Sequence, residues 1–228
     1  MNLTESGVLF CNICGSKVEG RYYVDNYGRI SCNSQEPYKC YCCGRFYHPQ
    51  QCLVTNYYGL FCPECRKRRV DESAAQRIAK MINEYYLRNK LTIPDYTLNL
   101  ISEEKMVEEA NFSNTLGLAY NIHPYEVHIL RILSRTGFAG VSAHEVLHLW
   151  QYEHNFNTSF LLCEGMGELG AYLFLKTINR QEALAFLNNI SENEDKTYGR
   201  GFRLYHSIYL KFGWEGVVRA LILRNGKP

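Results

Sequence analysis

Apolar residues recur every three or four positions over residues 71–89, and this spacing predicts an amphipathic helix. The positions concerned are Ala75, Ile78, Ala79, Ile82, Tyr85 and Tyr86. Pro94 ends the pattern, because proline has no amide hydrogen to donate within a continuing helix. Beyond it, apolar and polar residues alternate from Tyr96 to Leu100, as expected of a strand with one buried face.

The chain after this strand predicts a small sheet followed by a helical half. Two more strands are expected at Leu116–Tyr120 and Tyr125–Leu133, with Pro124 between them. If the second of these strands borders a cleft, it could bind an extended peptide by strand addition. The later apolar patterns predict four helices, namely Phe138–His154, Ser159–Lys176, Asn179–Asn189 and Tyr198–Asn225.

Residues 1–69 differ in character, with many Cys, Tyr and Gly residues and little helical periodicity. Nine of the ten cysteines lie between Cys11 and Cys65. The chain shows no signal peptide, and in such chains cysteines spaced CxxC are metal ligands more often than disulfides. We therefore expect an α+β fold in which a small zinc-stabilised, β-rich module over residues 1–69 precedes a second domain over residues 70–228.

Composition and charge narrow the classes of partner. The 228 residues are 46% hydrophobic and carry a net charge of +2, so there is no broad basic field to attract nucleic acid. The basic run Arg66–Arg69 is interpreted as a solvated face rather than an anion site. No apolar run approaches the roughly 20 residues of a membrane span. These features predict a cytoplasmic protein with neither nucleic-acid nor membrane partners.

An HExxH motif links His144, Glu145 and His148 within a predicted helix. Residues four apart lie on one helix face, so both imidazoles can bind one zinc ion, with Glu145 beside its open coordination position. A catalytic zinc needs a third protein ligand. Glu164 is favoured, because a Glu-Gly pair on the following helix resembles the glutamate-zincin pattern. The alternative ligands are Glu168 and His154. Glu168 could instead orient a ligand histidine through a hydrogen bond.

These residues predict a zincin-like metallopeptidase domain, built from a small sheet and helices, over residues 70–228. Zinc held by the three ligands would lower the pKa of a bound water from about 15.7 to about 7. Glu145 would act as the general base and return the proton to the leaving amine. A donor for the oxyanion is expected near the start of the last helix, where Tyr198 is favoured as a catalytic residue. Other possible donors are Arg203, Tyr205 and His206.

Two CxxC pairs predict one structural zinc site with four thiolate ligands, a strong signal at their spacing. The ligands are Cys40, Cys43, Cys62 and Cys65. Because protein atoms fill all four coordination positions, such a site stabilises the fold and does not catalyse. The module is therefore expected to contact a protein partner, the substrate or the second domain.

Cys11 and Cys14 begin a second structural zinc site, which needs two more ligands. The candidates for these places are Cys32, His48 and Cys52. A cross-braced arrangement would use the last two, whereas a sequential arrangement would use Cys32 and a residue close to it. Because Gln35 stands where the sequential arrangement requires a His or Cys, the cross-braced pair of His48 and Cys52 is favoured and Cys32 is the alternative.

Three stretches resemble, in order, the peptidase domain of the plant organ-size regulators of the DA-one type and of short bacterial proteins with the same domain. They are Ala143–Trp150, Cys163–Gly165 and Tyr198–Arg203. The resemblance covers roughly residues 95–223, and in that family a LIM-like double-zinc module precedes the peptidase. It implies a zinc-dependent endopeptidase acting on protein or peptide substrates, with one catalytic and two structural zinc ions. A zinc-stabilised interaction adaptor with a latent or inactive peptidase domain is the alternative function.

Overall fold

A computed structural model describes residues 8–32, 38–111, 114–156, 158–178 and 180–224. The fold is α+β, as predicted. The N-terminal part contains the strands β1 (Tyr22–Val24), β2 (Ile30–Cys32), β3 (Leu53–Thr55) and β4 (Gly59–Phe61) and the short helix α1 (Pro63–Lys67). A middle part follows, with α2 (Glu72–Arg88), β5 (Tyr96–Ile101), α3 (Glu103–Ala110), β6 (Gly117–Ala119) and β7 (Tyr125–Leu130). Four helices complete the chain: α4 (Arg135–Glu153), α5 (Phe160–Lys176), α6 (Gln181–Ser191) and α7 (Tyr198–Arg224).

The described residues up to position 69 form two successive units of the same design. In each unit a CxxC turn is closed by an isolated β-bridge, Phe10 with Lys17 or Lys39 with Phe46. An antiparallel hairpin then follows, β1 with β2 or β3 with β4. Each hairpin ends at a cysteine, Cys32 in the first unit and Cys62 in the second. This equivalence is an internal repeat that the sequence did not reveal.

The middle sheet has three strands in the order β5–β7–β6. β7 lies in the centre, parallel to β5 and antiparallel to β6, with Gly117 opposite Ile129. The condition for strand addition to residues 125–133 is therefore not met, because β7 is the central strand and β6 occupies the edge. The reason is α3, which was not predicted and which carries the chain from β5 to the far side of β7.

α4 and α5 form the centre of the helical half, and both are buried on most of their surface. The side-chain hydroxyl of Ser134 accepts a hydrogen bond from the amide of Gly137 at 3.2 Å and so caps the start of α4. α5 meets α7 backbone to backbone: a Cβ atom on Gly165 would lie 2.4 Å from the backbone of Gly201. Glycine at both positions is what allows this close approach.

The second cysteine-containing unit packs directly against the helical half. The Cys42 sulfur lies 3.2 Å from the Ser134 hydroxyl at the start of α4. The hydroxyl of Tyr58 donates a hydrogen bond of 2.7 Å to the carbonyl of Thr115, just before β6. One buried cluster includes side chains from both sides of residue 69. The division into domains at residues 69 and 70 therefore stays a prediction.

Within the part of the chain described, no helix combines the length and the apolarity needed to cross a lipid bilayer.

Candidate metal centres

The two motif histidines and the favoured glutamate come together between α4 and α5. Nitrogens of His144 and His148 and a carboxylate oxygen of Glu164 all lie within 4.8 Å of one another. The Glu164 Oε2 atom is 3.1 Å from Nε2 of His144 and 3.7 Å from Nε2 of His148. All three side chains are buried, and the cluster is compatible with a bound metal ion. His154 is elsewhere: its Nδ1 atom lies 2.8 Å from the carbonyl of Trp150 at the end of α4.

Glycine allows the helix α5 to pack closely against these rings. A Cβ atom on Gly167 would lie 2.7 Å from both Cε1 and Nε2 of His144, so only a hydrogen leaves room for the ring. Gly165, next to Glu164, makes the close approach to α7 described above. The small residues around Glu164 therefore set the distance between the helix that carries two candidate ligands and the helix that carries the third.

The Nδ1 nitrogen of each imidazole lies next to an acceptor oxygen of another side chain. Nδ1 of His148 lies 2.7 Å from Oε1 of Gln151, and Nδ1 of His144 lies 3.4 Å from Oε1 of Glu168. These oxygens only accept, so each Nδ1 carries a hydrogen, and the Nε2 atoms, which face Glu164, are the ones that would bind a metal. Glu168 therefore occupies the orienting position rather than the ligand position. Gln151 was not predicted, although its spacing of three from His148 places it on the same helix face.

The charges around the site favour a cation. Burial lowers the pKa of His144, but its hydrogen bonds to Glu164 and Glu168 outweigh burial and raise that pKa to about 10. Burial raises the pKa of Glu164, and the two histidines more than reverse this and hold it well below its usual value. Burial raises the pKa of Glu145. A carboxylate with a raised pKa is suited to accept and release a proton near neutral pH.

The cluster opens onto a cavity of about 600 Å³ between β6 and the helices α4, α5 and α6. Glu145 and Tyr198 both line it, and the Tyr198 ring centroid is 6.4 Å from that of His144. A Cβ atom on Gly117 of β6 would lie 2.6 Å from Cγ of Glu145, so the edge strand passes directly over this side chain. The other proposed donors do not line the cavity: Arg203 binds the Asn193 carbonyl, Tyr205 is buried, and His206 stacks on Phe202.

The four cysteines predicted to share one ion are brought together and are buried. The sulfurs of Cys43 and Cys62 are 3.8 Å apart. Backbone amides donate to two of the sulfurs: the amide of Cys62 to Cys40 at 3.2 Å, and that of Cys65 to Cys62 at 3.4 Å. Such hydrogen bonds stabilise negative charge on sulfur, which is the form that binds a metal.

The first unit does not have the arrangement favoured from the sequence. Cys11 and Cys14 meet Cys32, whose sulfur is 3.8 Å from that of Cys14, whereas His48 and Cys52 are outside this group. The hairpin of β1 and β2 explains the correction, because pairing of Tyr22 with Cys32 returns the chain to its CxxC turn. His48 instead accepts a hydrogen bond from the Gln50 amide and caps a short 3-10 turn that Cys52 follows. Gln35 lies outside the described residues.

These three groups differ in their access to solvent and substrate. The four-cysteine group is enclosed by protein, and the group of Cys11, Cys14 and Cys32 has one exposed member, Cys14. Only the group of two histidines and a glutamate borders a cavity that also contains an unliganded carboxylate, Glu145. Comparison with protein-family models, with curated proteins and with solved structures found no match for this chain.

Proposed function

We propose that this protein is a zinc-dependent endopeptidase that hydrolyses peptide bonds of protein substrates. The observation that carries the proposal is the convergence of His144, His148 and Glu164 beside a buried Glu145, at the floor of an open cavity. Metal ligands, a general base and space for a substrate are the parts that metal-assisted hydrolysis requires. A zincin-like fold and membership of the peptidase family named above are part of the proposal.

The distances within the clusters support zinc as the metal. Nitrogen and oxygen ligands at about 2.0–2.2 Å from a tetrahedral zinc ion are about 3.3–3.6 Å apart, and thiolates at about 2.3 Å are about 3.8 Å apart. The observed nitrogen–oxygen distances of 3.1 and 3.7 Å bracket the first range. The sulfur–sulfur distances of 3.8 Å in both cysteine groups equal the second value. The donor sets, two histidines with a glutamate and clustered cysteines, are also those of catalytic and structural zinc.

The chain's own residues supply the remaining steps. When bound, zinc would polarise the scissile carbonyl and make water a stronger acid. Glu145, whose pKa burial raises, takes a proton from the attacking water and delivers it to the leaving amine. The Tyr198 hydroxyl, whose pKa burial and then Glu164 raise to about 12, keeps its proton and can donate to the developing oxyanion.

The edge strand β6 suits an extended peptide substrate. It pairs with β7 on one side, and its residue Gly117 and the preceding Thr115 and Leu116 line the cavity. An edge strand offers amide and carbonyl groups that a peptide backbone can pair with. We therefore infer that the substrate lies along β6 with its scissile bond above Glu145.

The substitution Glu145→Gln tests this function, because it removes the base and keeps the shape of the side chain. Cleavage of an unfolded protein substrate should fall by about 10²–10⁴-fold. Zinc content should be unchanged, since Glu145 is not a ligand in this proposal. Glu153→Gln is the matched control, as it changes the same residue type near the end of the same helix, outside the cavity.

Equal cleavage by the wild type and Glu145→Gln would contradict the proposal. So would the absence of cleavage of any protein substrate by the fully zinc-loaded wild type. In the second case, partner binding that survives the substitution would support the adaptor function instead.

A further inference from the structure

A second cavity, of about 500 Å³, lies where the N-terminal module meets the first turns of α4 and α6. We call it the arginine cavity because four arginines line it, together with Tyr27, Glu182 and two neutral polar residues. They are Arg45, Arg68, Arg135 and Arg180. It shares no lining residue with the catalytic cleft. Its volume is typical of small-molecule sites, but such sites are mostly apolar, so a wholly polar lining indicates a polar occupant.

The arginine cavity keeps a positive surplus after its ion pairs are counted. Among the described residues, Glu182 is the only carboxylate in the lining, and it binds Arg68 at 2.6 Å. Two other arginines have ion-pair partners outside the lining, Glu64 at 3.8 Å from Arg45 and Asp71 at 3.5 Å from Arg135. Arg180 has no ion-pair partner in the part of the chain described. Three carboxylates therefore face four guanidinium groups.

The start of α6 adds a second feature suited to an anion. The ring of Tyr27 forms part of the cavity wall, with the Arg45 guanidinium 3.8 Å from the ring centroid. α6 begins at Gln181 without a side-chain cap, and the first residues of this helix line the cavity. The uncapped N-terminus of a helix is suited to bind an anion.

We propose that the arginine cavity binds a phosphate group carried by a small molecule. A phosphate ester carries about −1.5 to −2 charges at pH 7 and presents three acceptor oxygens, so it can accept from donors that approach from several directions. The guanidinium fork matches phosphate geometry, and the helix N-terminus adds further donors. Since its lining comes from the module and from α4 and α6, a bound phosphate would hold these three parts together.

Titration calorimetry with inorganic phosphate and with pyrophosphate, at constant ionic strength and on the zinc-loaded full chain, tests the proposal. We expect both anions to bind, and Arg180→Gln to weaken binding by about 10- to 100-fold, the effect of losing one charged hydrogen-bond donor. Arg219→Gln is the matched control, because it removes the same charge from an exposed position on α7 and should leave the affinity unchanged.

Equal phosphate affinity in the wild type and Arg180→Gln would overturn the proposal, since the anion would then bind elsewhere, for example at zinc. Failure of the wild type to bind either anion would also overturn it. Free phosphoserine and a phosphoserine peptide distinguish the sources of phosphate, and tighter binding of the peptide would overturn the small-molecule assignment. All of these measurements report binding affinity, so their outcome does not depend on peptidase activity.

Discussion

Replacing Gly167 with alanine sets two known effects against each other. Alanine is favoured over glycine inside a helix by about 1 kcal/mol, so a position without close neighbours would gain stability. At Gly167, however, the new Cβ atom would lie 2.7 Å from the ring of His144. Non-bonded carbons pack at about 3.5–4.0 Å, so the ring or the helix has to move by about 0.8 Å or more.

This displacement should act mainly on metal binding. Overpacking of a buried site costs about 1–3 kcal/mol, which cancels or exceeds the gain in helix propensity. A metal site tolerates errors of only about 0.5 Å, so we expect Gly167→Ala to weaken zinc binding by about 10- to 100-fold. Competition with a chelator measures the affinity, and denaturant unfolding measures the stability of the same variant.

Gly140→Ala is the matched control for this experiment. Gly140 is also a buried helical glycine facing the cleft, but its new Cβ atom would meet only a Leu175 methyl group at 3.1 Å, and that side chain can move. This variant should keep the zinc affinity and gain up to about 1 kcal/mol of stability. If Gly167→Ala bound zinc as tightly as Gly140→Ala does, the inference that α5 presses against His144 would be wrong.

Three further predictions concern the parts that support the cleft. Tyr58→Phe removes the hydrogen bond to Thr115, so it should cost about 1 kcal/mol of stability and, by loosening β6, raise KM more than it lowers kcat; a change in kcat alone would contradict this. Gln151→Leu removes the oxygen that accepts from Nδ1 of His148 and leaves the weakly accepting Cys163 sulfur at 3.5 Å, so chelator competition should show about 10- to 100-fold weaker zinc binding, whereas an unchanged affinity would rule out the orienting role. Native mass spectrometry should count three zinc ions in the wild type and one fewer in Cys62→Ser, and two in the wild type would mean that one site does not form.

Most of the candidate catalytic site could be predicted from the sequence, because its residues lie close together along the chain. Two candidate ligands and the proposed base lie within five residues of one helix, and helical geometry alone places His144 and His148 on a shared face. The position of Glu164 depended on a second helix, which the long apolar run of α5 made predictable. Gln151 could not be predicted, because a glutamine gives no sequence signal for this role before the position of the His148 ring is known.

The features that could not be predicted from the sequence depend on contacts between distant segments of the chain. The candidate ligand set of the first cysteine-containing unit depends on how β1 pairs with β2, and three-residue strands leave too short a pattern to predict a register. α3 was missed because Met106 is its only buried residue, so it shows little apolar periodicity. Without α3, the position of β7 between β5 and β6 could not be predicted. The docking of Cys42 against Ser134 joins residues 92 positions apart, and no local pattern encodes it.

The backbone contact between Gly165 and Gly201 has a consequence for shortened forms of the chain. α7 supplies none of the three candidate metal ligands, yet it is the surface on which the residue next to Glu164 rests. A protein ending before Tyr198 would retain both histidines, the glutamate and the base, but α5 would lose its support and be free to drift from α4. Integrity of the final helix is thus a requirement of the proposed catalysis that inspection of the candidate ligands alone would overlook.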